Sequence, residues 1–231
     1  MDSSAESTSS MSTYPIDEAT LKAVYASDQE MYPAPLPYER LQAWVESSGG
    51  LSMCFKNPTD PAQGLIGVII TLPVKETYWR RLLRGEIKEM EIVPESMLAS
   101  LLQGNATQKV GLHVSHVERF TESEPGVRGG FAATALDEVL GRARLRTDWE
   151  VVGLSALTAT PAGKKTFQRL GFEPTGYRET FIQRATEGDS AASMEGAIEM
   201  ICTYPGDEME THIESSCIVS ASEMAVRYCY P

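Results

Sequence analysis

Positive charge is what this chain is short of. Its 231 residues carry 20 lysines and arginines against 32 aspartates and glutamates, a formal net charge of −12. Such a chain repels nucleic acid and anionic membrane surfaces at long range, so neither is expected as a partner, while cationic ligands are favoured. Cysteine is scarce: Cys54, Cys202, Cys217 and Cys229 form no CxxC pair, which argues against a zinc site and a disulfide framework. No apolar run approaches the roughly 18 residues of a membrane-spanning helix. The opening "MDSSAESTSSMST" lacks the basic and apolar segments of a secretory signal. These absences together predict a soluble, cytoplasmic protein. Two nucleotide fingerprints are also missing, the GK[ST] of a P-loop and GxGxxG.

What is present reads as alternating helices and strands. Residues 1–13 are serine-rich and are expected to form a disordered tail. "IDEATLKAVYASDQEMY" and "YERLQAWVESS" have helical spacing, separated by the breaker "YPAPLP". "LSMCFKN" and "GLIGVIITLPV" read as strands of an antiparallel hairpin. An insert follows at about 75–109. Its "YWRRLLRG" reads either as a cap over a substrate mouth or as an amphipathic helix with snorkelling arginines. "PESMLASLL" reads as another helix. "VGLHVSHVERF" is then a strand, about 128–146 a helix, "VVGLSALTA" a strand, and "PAGKKTFQRLG" a helix with proline in its first turn and glycine at its end. "FEPTGYRETFIQ" and "AIEMICTY" are two further strands. Residues 14–204 are thus expected to form one domain, with 205–231 an extension left unplaced, because "CIVSASEMAVRYCY" reads as strand or helix. The element order predicts an α/β (α+β) domain: a mixed, mostly antiparallel sheet with a central parallel crossover, flanked by helices.

The most informative stretch is "GVRGGFAATALDEVLGRA", residues 126–143. A glycine turn joined to a helix start leaves unpaired N–H groups pointing at one spot, where the helix dipole adds positive potential and Arg128 a fixed charge. That describes an anion site, and equally an ordinary turn before a helix.

Residues 110–183 resemble the GNAT acetyltransferase superfamily. The resemblance runs through "GLHVSHVERF" as its fourth strand, "GVRGGFA" as its pyrophosphate loop of [QR]-x-x-G-x-[GA] type, and "VVGLSALTATPAGKKTFQRLGF" as its next strand and helix. The wording "HVERF" and "TGYRETF" is similar to fungal members. The resemblance implies an acetyl-CoA-dependent transferase acting on a primary amine of a small molecule in a ternary complex, without a metal. Its monomeric or dimeric state is left open. The implied coenzyme contacts are Val117 and Arg119 at the end of the fourth strand, Arg128, Gly129, Gly130, Phe131 and Ala132 at the loop and helix start, and Thr160 and Phe167 on the later helix. The glycine register stays open: with Gly130 as the motif glycine, Val127 takes the Gln/Arg place; with Gly129, Phe131 takes the small place. Phe167 stands where the superfamily often has the tyrosine that protonates the departing thiolate.

For proton transfer, the strand offers His113, His116 and Glu118. Strict alternation puts His113 on one face with Val117 and Arg119, and His116 on the other with Glu118. Glu118 and His116 are the candidate bases, with surface or backbone-bonded roles as the plainer alternatives. Tyr177 is a candidate replacement acid, or a strand aromatic that packs. Tyr32, Pro33 and Tyr38 fall at the helix–helix break that lines the acceptor site in the superfamily. The altered motif also suits a second class of function: a GNAT fold that has lost acetyl transfer and serves as a coenzyme A- or ligand-binding or regulatory module, or runs different chemistry in the same cleft. A protein serving only in interactions, through its insert and tail, is a third.

Overall fold

The computed structural model describes residues 11–31, 36–57, 64–101, 106–120, 130–183, 198–204 and 218–229. Eight strands form one sheet: β1 (Ser12–Tyr14), β2 (Met53–Lys56), β3 (Leu65–Lys75), β4 (Gln108–Arg119), β5 (Trp149–Thr158), β6 (Glu173–Gln183), β7 (Ile198–Thr203) and β8 (Ile218–Tyr228), in the order β1-β2-β3-β4-β5-β8-β6-β7. The β4–β5 pair is parallel and every other pair is antiparallel. The predicted hairpin is β2–β3 and the predicted crossover is β4–β5. Two expectations change. Ser12 and Thr13, assigned to the tail, already pair with Lys56 and Phe55; residues 1–10 lie outside the described residues. The unplaced C-terminal run becomes β8, an inner strand between β5 and β6.

The helices divide between the two faces. On one, α1 (Glu18–Met31), α2 (Tyr38–Ser47) and α3 (Glu76–Leu83) bury Leu21, Val24, Leu41, Trp44, Trp79 and Leu82 against Val68, Ile70, Leu72 and Val74 of β3. On the other, α5 (Phe131–Arg144) and α6 (Pro161–Arg169) bury Phe131, Leu136, Val139 and Phe167 against Val110, Leu112 and Val114 of β4. Each strand feeds both cores because its side chains alternate. The segment between β3 and β4 holds α3, a 3-10 turn at Glu89–Glu91, and the single-turn α4 (Pro94–Met97). Trp79, Leu82 and Leu83 of α3 are buried, while Arg80, Arg81 and Arg84 stay at the surface with Glu76 and Glu86. The amphipathic reading of "YWRRLLRG" therefore describes this helix. The Trp79 ring lies over Gly111 and Gly153, where an added Cβ would come within 2.1 and 2.7 Å of it. Only glycine lets the indole sit that close to the sheet.

Two irregularities shape the centre of the sheet. Ile70 pairs with His116 but Thr71 pairs with Val114, so Ser115 is an extra residue on β4. Such a bulge bends its strand and shifts the phase of its side chains by one. In addition, the β4–β5 ladder stops at Val114–Ala156. Beyond it, among the described residues, β4 continues against β3 alone, and β5 continues against β8 through Leu157 and Thr158. The two parallel strands therefore open into a wedge.

Candidate active site

The wedge is a cleft. Val114, Ser115, His116, Val117 and Glu118 form one wall, Ala156, Leu157, Thr158 and Ala159 the other; Thr160, Gly163 and Phe167 of the following helix and Asp28 of α1 complete it. Five residues singled out in the sequence thus meet here: His116, Val117, Glu118, Thr160 and Phe167. Thr160 caps α6, its hydroxyl accepting from the Gly163 N–H at 3.0 Å. Phe167 is buried edge-to-face on Phe172, ring centroids 4.9 Å apart.

The bulge at Ser115 overturns the expected faces. His113 does not share a face with Val117. Val117 packs into the α5–α6 core, whereas His113, His116 and Glu118 all turn toward the α1–α3 layer. His116 is buried and held at both ring nitrogens: Nδ1 lies 3.0 Å from Asp28 Oδ1 and Nε2 3.2 Å from Glu118 Oε2. Ser27 Oγ donates to Glu118 Oε1 at 3.2 Å. Burial alone would push the imidazole pKa down. The hydrogen bonds and charges of Asp28 and Glu118 outweigh it and raise it to about 9. The same hydrogen bond from His116 holds Glu118 below the usual carboxylate range. At neutral pH the ring is therefore an imidazolium between two carboxylates, a group that keeps a proton in the cleft wall.

Asp28 escaped the sequence reading. It follows Leu21 and Val24 at the spacing of the buried stripe of α1, and an acid on such a stripe is a readable signal. His113 belongs to a different network: Nε2 is 2.8 Å from Glu89 Oε2, and Nδ1 is 2.9 Å from Ser155 Oγ, which accepts from Trp79 Nε1 at 2.8 Å.

Tyr177 is not in the cleft. The β6–β8 register slips between Pro174 and Arg178, and in that slip the Tyr177 ring is driven against Gly85 and fully buried. Its hydroxyl donates to Glu179 Oε1 at 2.6 Å and accepts from Lys88 Nζ at 2.8 Å. Burial, followed by Glu179, pushes the phenol far above its ordinary range. That placement removes Tyr177 as the stand-in acid. Arg119 is exposed at the strand end, outside the cleft lining. Arg128 and Gly129 lie outside the described residues, as do Tyr32 and Pro33. Tyr38 packs edge-to-face on Tyr25.

The start of α5 has the geometry expected of an anion site. Gly130 is its N-cap, at φ 115°, in the left-handed region open to glycine. The first intrahelical bond is Thr134 N–H to Gly130 O at 2.9 Å. The amides of Phe131, Ala132 and Ala133 precede it, have no acceptor within the helix, and are met by no acceptor among the described residues. The Phe131 side chain points the other way, into the core against Phe55 and Gly67. The ring is thus part of the core, which leaves the amide as the group available to a ligand.

A second cavity lies on the α1–α2 side. Leu36, Leu41, Trp44, Met90, Leu157 and Phe181 make it apolar; Asp28, Glu89, Ser115 and Glu179 supply its polar groups. Asp28, Ser115 and Leu157 line both cavities, so the two spaces meet at the bulge. Among the described residues there is no metal-binding cluster and no helix long and apolar enough to cross a membrane.

No protein-family model and no curated protein matches the chain. Solved structures do. NAA60 from Arabidopsis thaliana, in complex with acetyl-CoA, aligns with 95% of this chain and 100% of its own, at a TM-score of 0.50 and 12% identity. Mosquito arylalkylamine N-acetyltransferase like 5b covers the same shares, at a TM-score of 0.50 and 11% identity. At such identities the likeness is one of architecture: the chain has the GNAT fold, a mixed and mostly antiparallel sheet with one parallel pair, flanked by helices.

Proposed function

We propose that the chain is an acetyl-CoA-dependent N-acetyltransferase that acts on a primary amine of a small molecule within a ternary complex. One observation carries the reading: the wedge opened where β4 and β5 part, with a proton-holding His116–Glu118 pair on its wall and a separate apolar cavity meeting it at Ser115. The residues fit the coenzyme. Among the described residues the amides of Phe131–Ala133 meet no acceptor, which suits a diphosphate, and the β4 edge beyond Val114 has no strand partner on the β5 side; the walls of the wedge are largely small or apolar. Bound acetyl-CoA would supply the activated acyl thioester. Amides near Ser115–Val117 would donate to its carbonyl oxygen. The chain's further task is to take a proton from the attacking amine, which only the neutral fraction of His116 can do and which therefore gains as pH rises toward 9, and to return one to the departing sulfur. A His116 pKa of about 9 lies near those of alkylammonium ions and thiols, so either transfer is close to balanced. Thr160 and Phe167 would flank the pantetheine arm, and Arg128 and Gly129 the phosphates. Fungal-type kinship and a cytoplasmic location belong to the same proposal; the first rests on "HVERF" and "TGYRETF", the second on the scarce, unpaired cysteines.

Thiol release from acetyl-CoA across a panel of amines, with titration calorimetry on acetyl-CoA, tests the reading. Absence of binding at high micromolar ligand would remove it. A second reading is motivated by Phe167, which brings no hydroxyl to the cleft, and by Tyr177, whose hydroxyl is engaged elsewhere. On that reading the wedge binds coenzyme A as a recognition or regulatory module. Binding without thiol release for any amine would select it.

A further inference from the structure

We infer that the acceptor is a dication: an amine with an apolar, ring-sized body and a second cationic group, which Glu89 and Glu179 receive. The inference rests on the acetyltransferase reading and deepens it. The apolar cavity meets the wedge at Asp28, Ser115 and Leu157, so an acceptor's reacting nitrogen belongs at that junction. There Ser115, which lines both spaces, has a hydroxyl shut off from solvent with no hydrogen-bond partner among the described residues. Trp44 and Phe181 line the body of the cavity, which suits a ring.

Away from the wedge the cavity is lined by Glu89 and Glu179. Each carboxylate has one oxygen bonded within the protein and a second, in an apolar pocket, that a ligand donor can meet. Glu89 is bonded to His113 and Glu179 to the Tyr177 hydroxyl, and among the described residues neither has a lysine or arginine ion pair. The ammonium of Lys88, whose charge acts on Glu179, is bonded to Tyr177 Oη and Gly85 O. Burial holds Glu179 above the usual carboxylate range; the Tyr177 hydrogen bond and Lys88 work against this, and the nearby charges of Glu89 and Glu91 add to it. A ligand ammonium placed there would relieve that repulsion. A neutral hydroxyl would accept or donate a hydrogen bond and leave the repulsion in place.

The test uses the full chain, acetyl-CoA and three acceptors of one shape: 1,3-bis(aminomethyl)benzene, 3-(hydroxymethyl)benzylamine and 3-methylbenzylamine. We expect kcat/KM for the diamine to exceed that for the methyl compound by about ten-fold or more, the effect of one charge-assisted hydrogen bond. In Glu179→Gln, and separately in Glu89→Gln, the diamine-to-methyl ratio should fall toward one whatever the absolute rate. Thermal stabilisation by acetyl-CoA reports that each variant is folded. Equal rates for the three acceptors, or a preference for the hydroxymethyl compound, would overturn the inference and leave the acetyltransferase reading intact. Acetylation of none of the three, together with absence of acetyl-CoA binding, would mark failure of that reading itself.

Discussion

Replacing Asp28 by asparagine removes one of the two charges that hold a proton on His116. The imidazole stands at about 9 against an ordinary 6.5, a difference maintained against burial by Asp28 and Glu118 together. A single close carboxylate shifts a partner's pKa by about 1–3 units. With Asp28 neutralised, burial meets only Glu118, and the His116 pKa should fall by about that amount. Two readouts follow. The first is the pH dependence of kcat/KM with a weakly basic acceptor such as a hydrazide, whose own titration stays outside the window. The rising limb should bend near pH 9 in the native protein, and lower in the Asp28→Asn protein. The second is stability. The folded state binds the His116 proton up to about pH 9, whereas the unfolded chain releases it near 6.5. Stabilisation from this group is therefore complete below pH 6.5 and is lost as pH rises through 9. It amounts to about 3 kcal/mol. Urea midpoints across that window should fall steeply in the native protein and less in the variant. An inflection that stays in place in Asp28→Asn, or a stability that is flat between these pH values, would refute the reasoning.

Other substitutions test the scaffold. Gly111→Ala places a methyl group 2.1 Å from the Trp79 ring and should cost about 2–3 kcal/mol by overpacking, read as a lower thermal midpoint. Gly130→Ala forces a side chain into φ 115°; it should cost about 1–3 kcal/mol and weaken acetyl-CoA binding in calorimetry. Phe167→Tyr restores the superfamily's hydroxyl at the cleft and should raise kcat several-fold at unchanged fold stability. An unchanged kcat would take thiolate protonation out of the slow steps.

Much of the framework was legible because periodicity reports which face is buried. The helices at 18–31, 38–47, 131–144 and 161–169 all fall within the predicted stretches, since caps, breakers and apolar stripes act locally. The site was harder. Strict alternation put His113 and His116 on opposite faces, and the extra residue at Ser115, set by pairing with β3, brought them to the same one. A bulge is a property of two strands and leaves little trace in either. Of the two readings of Tyr177 the packing one describes it, and its direction has a similar cause: the register slip in β6 sends it toward Gly85 and Lys88. The run that became β8 is an inner strand rich in serine and alanine, so it has neither clean alternation nor a strong strand preference. Asp28 carried a signal in its position on the stripe of α1, though its partner lay 88 residues away.

Titration calorimetry of acetyl-CoA into the native protein and into Ala159→Trp bears most directly on the wedge. Ala159 lines the cleft just beyond the end of β5 and belongs to neither buried core, so an indole there is expected to occupy the cleft. The account predicts binding in the micromolar range for the native protein and its loss in the variant, with circular dichroism unchanged. Equal affinity in both proteins, or heat from neither, would contradict it.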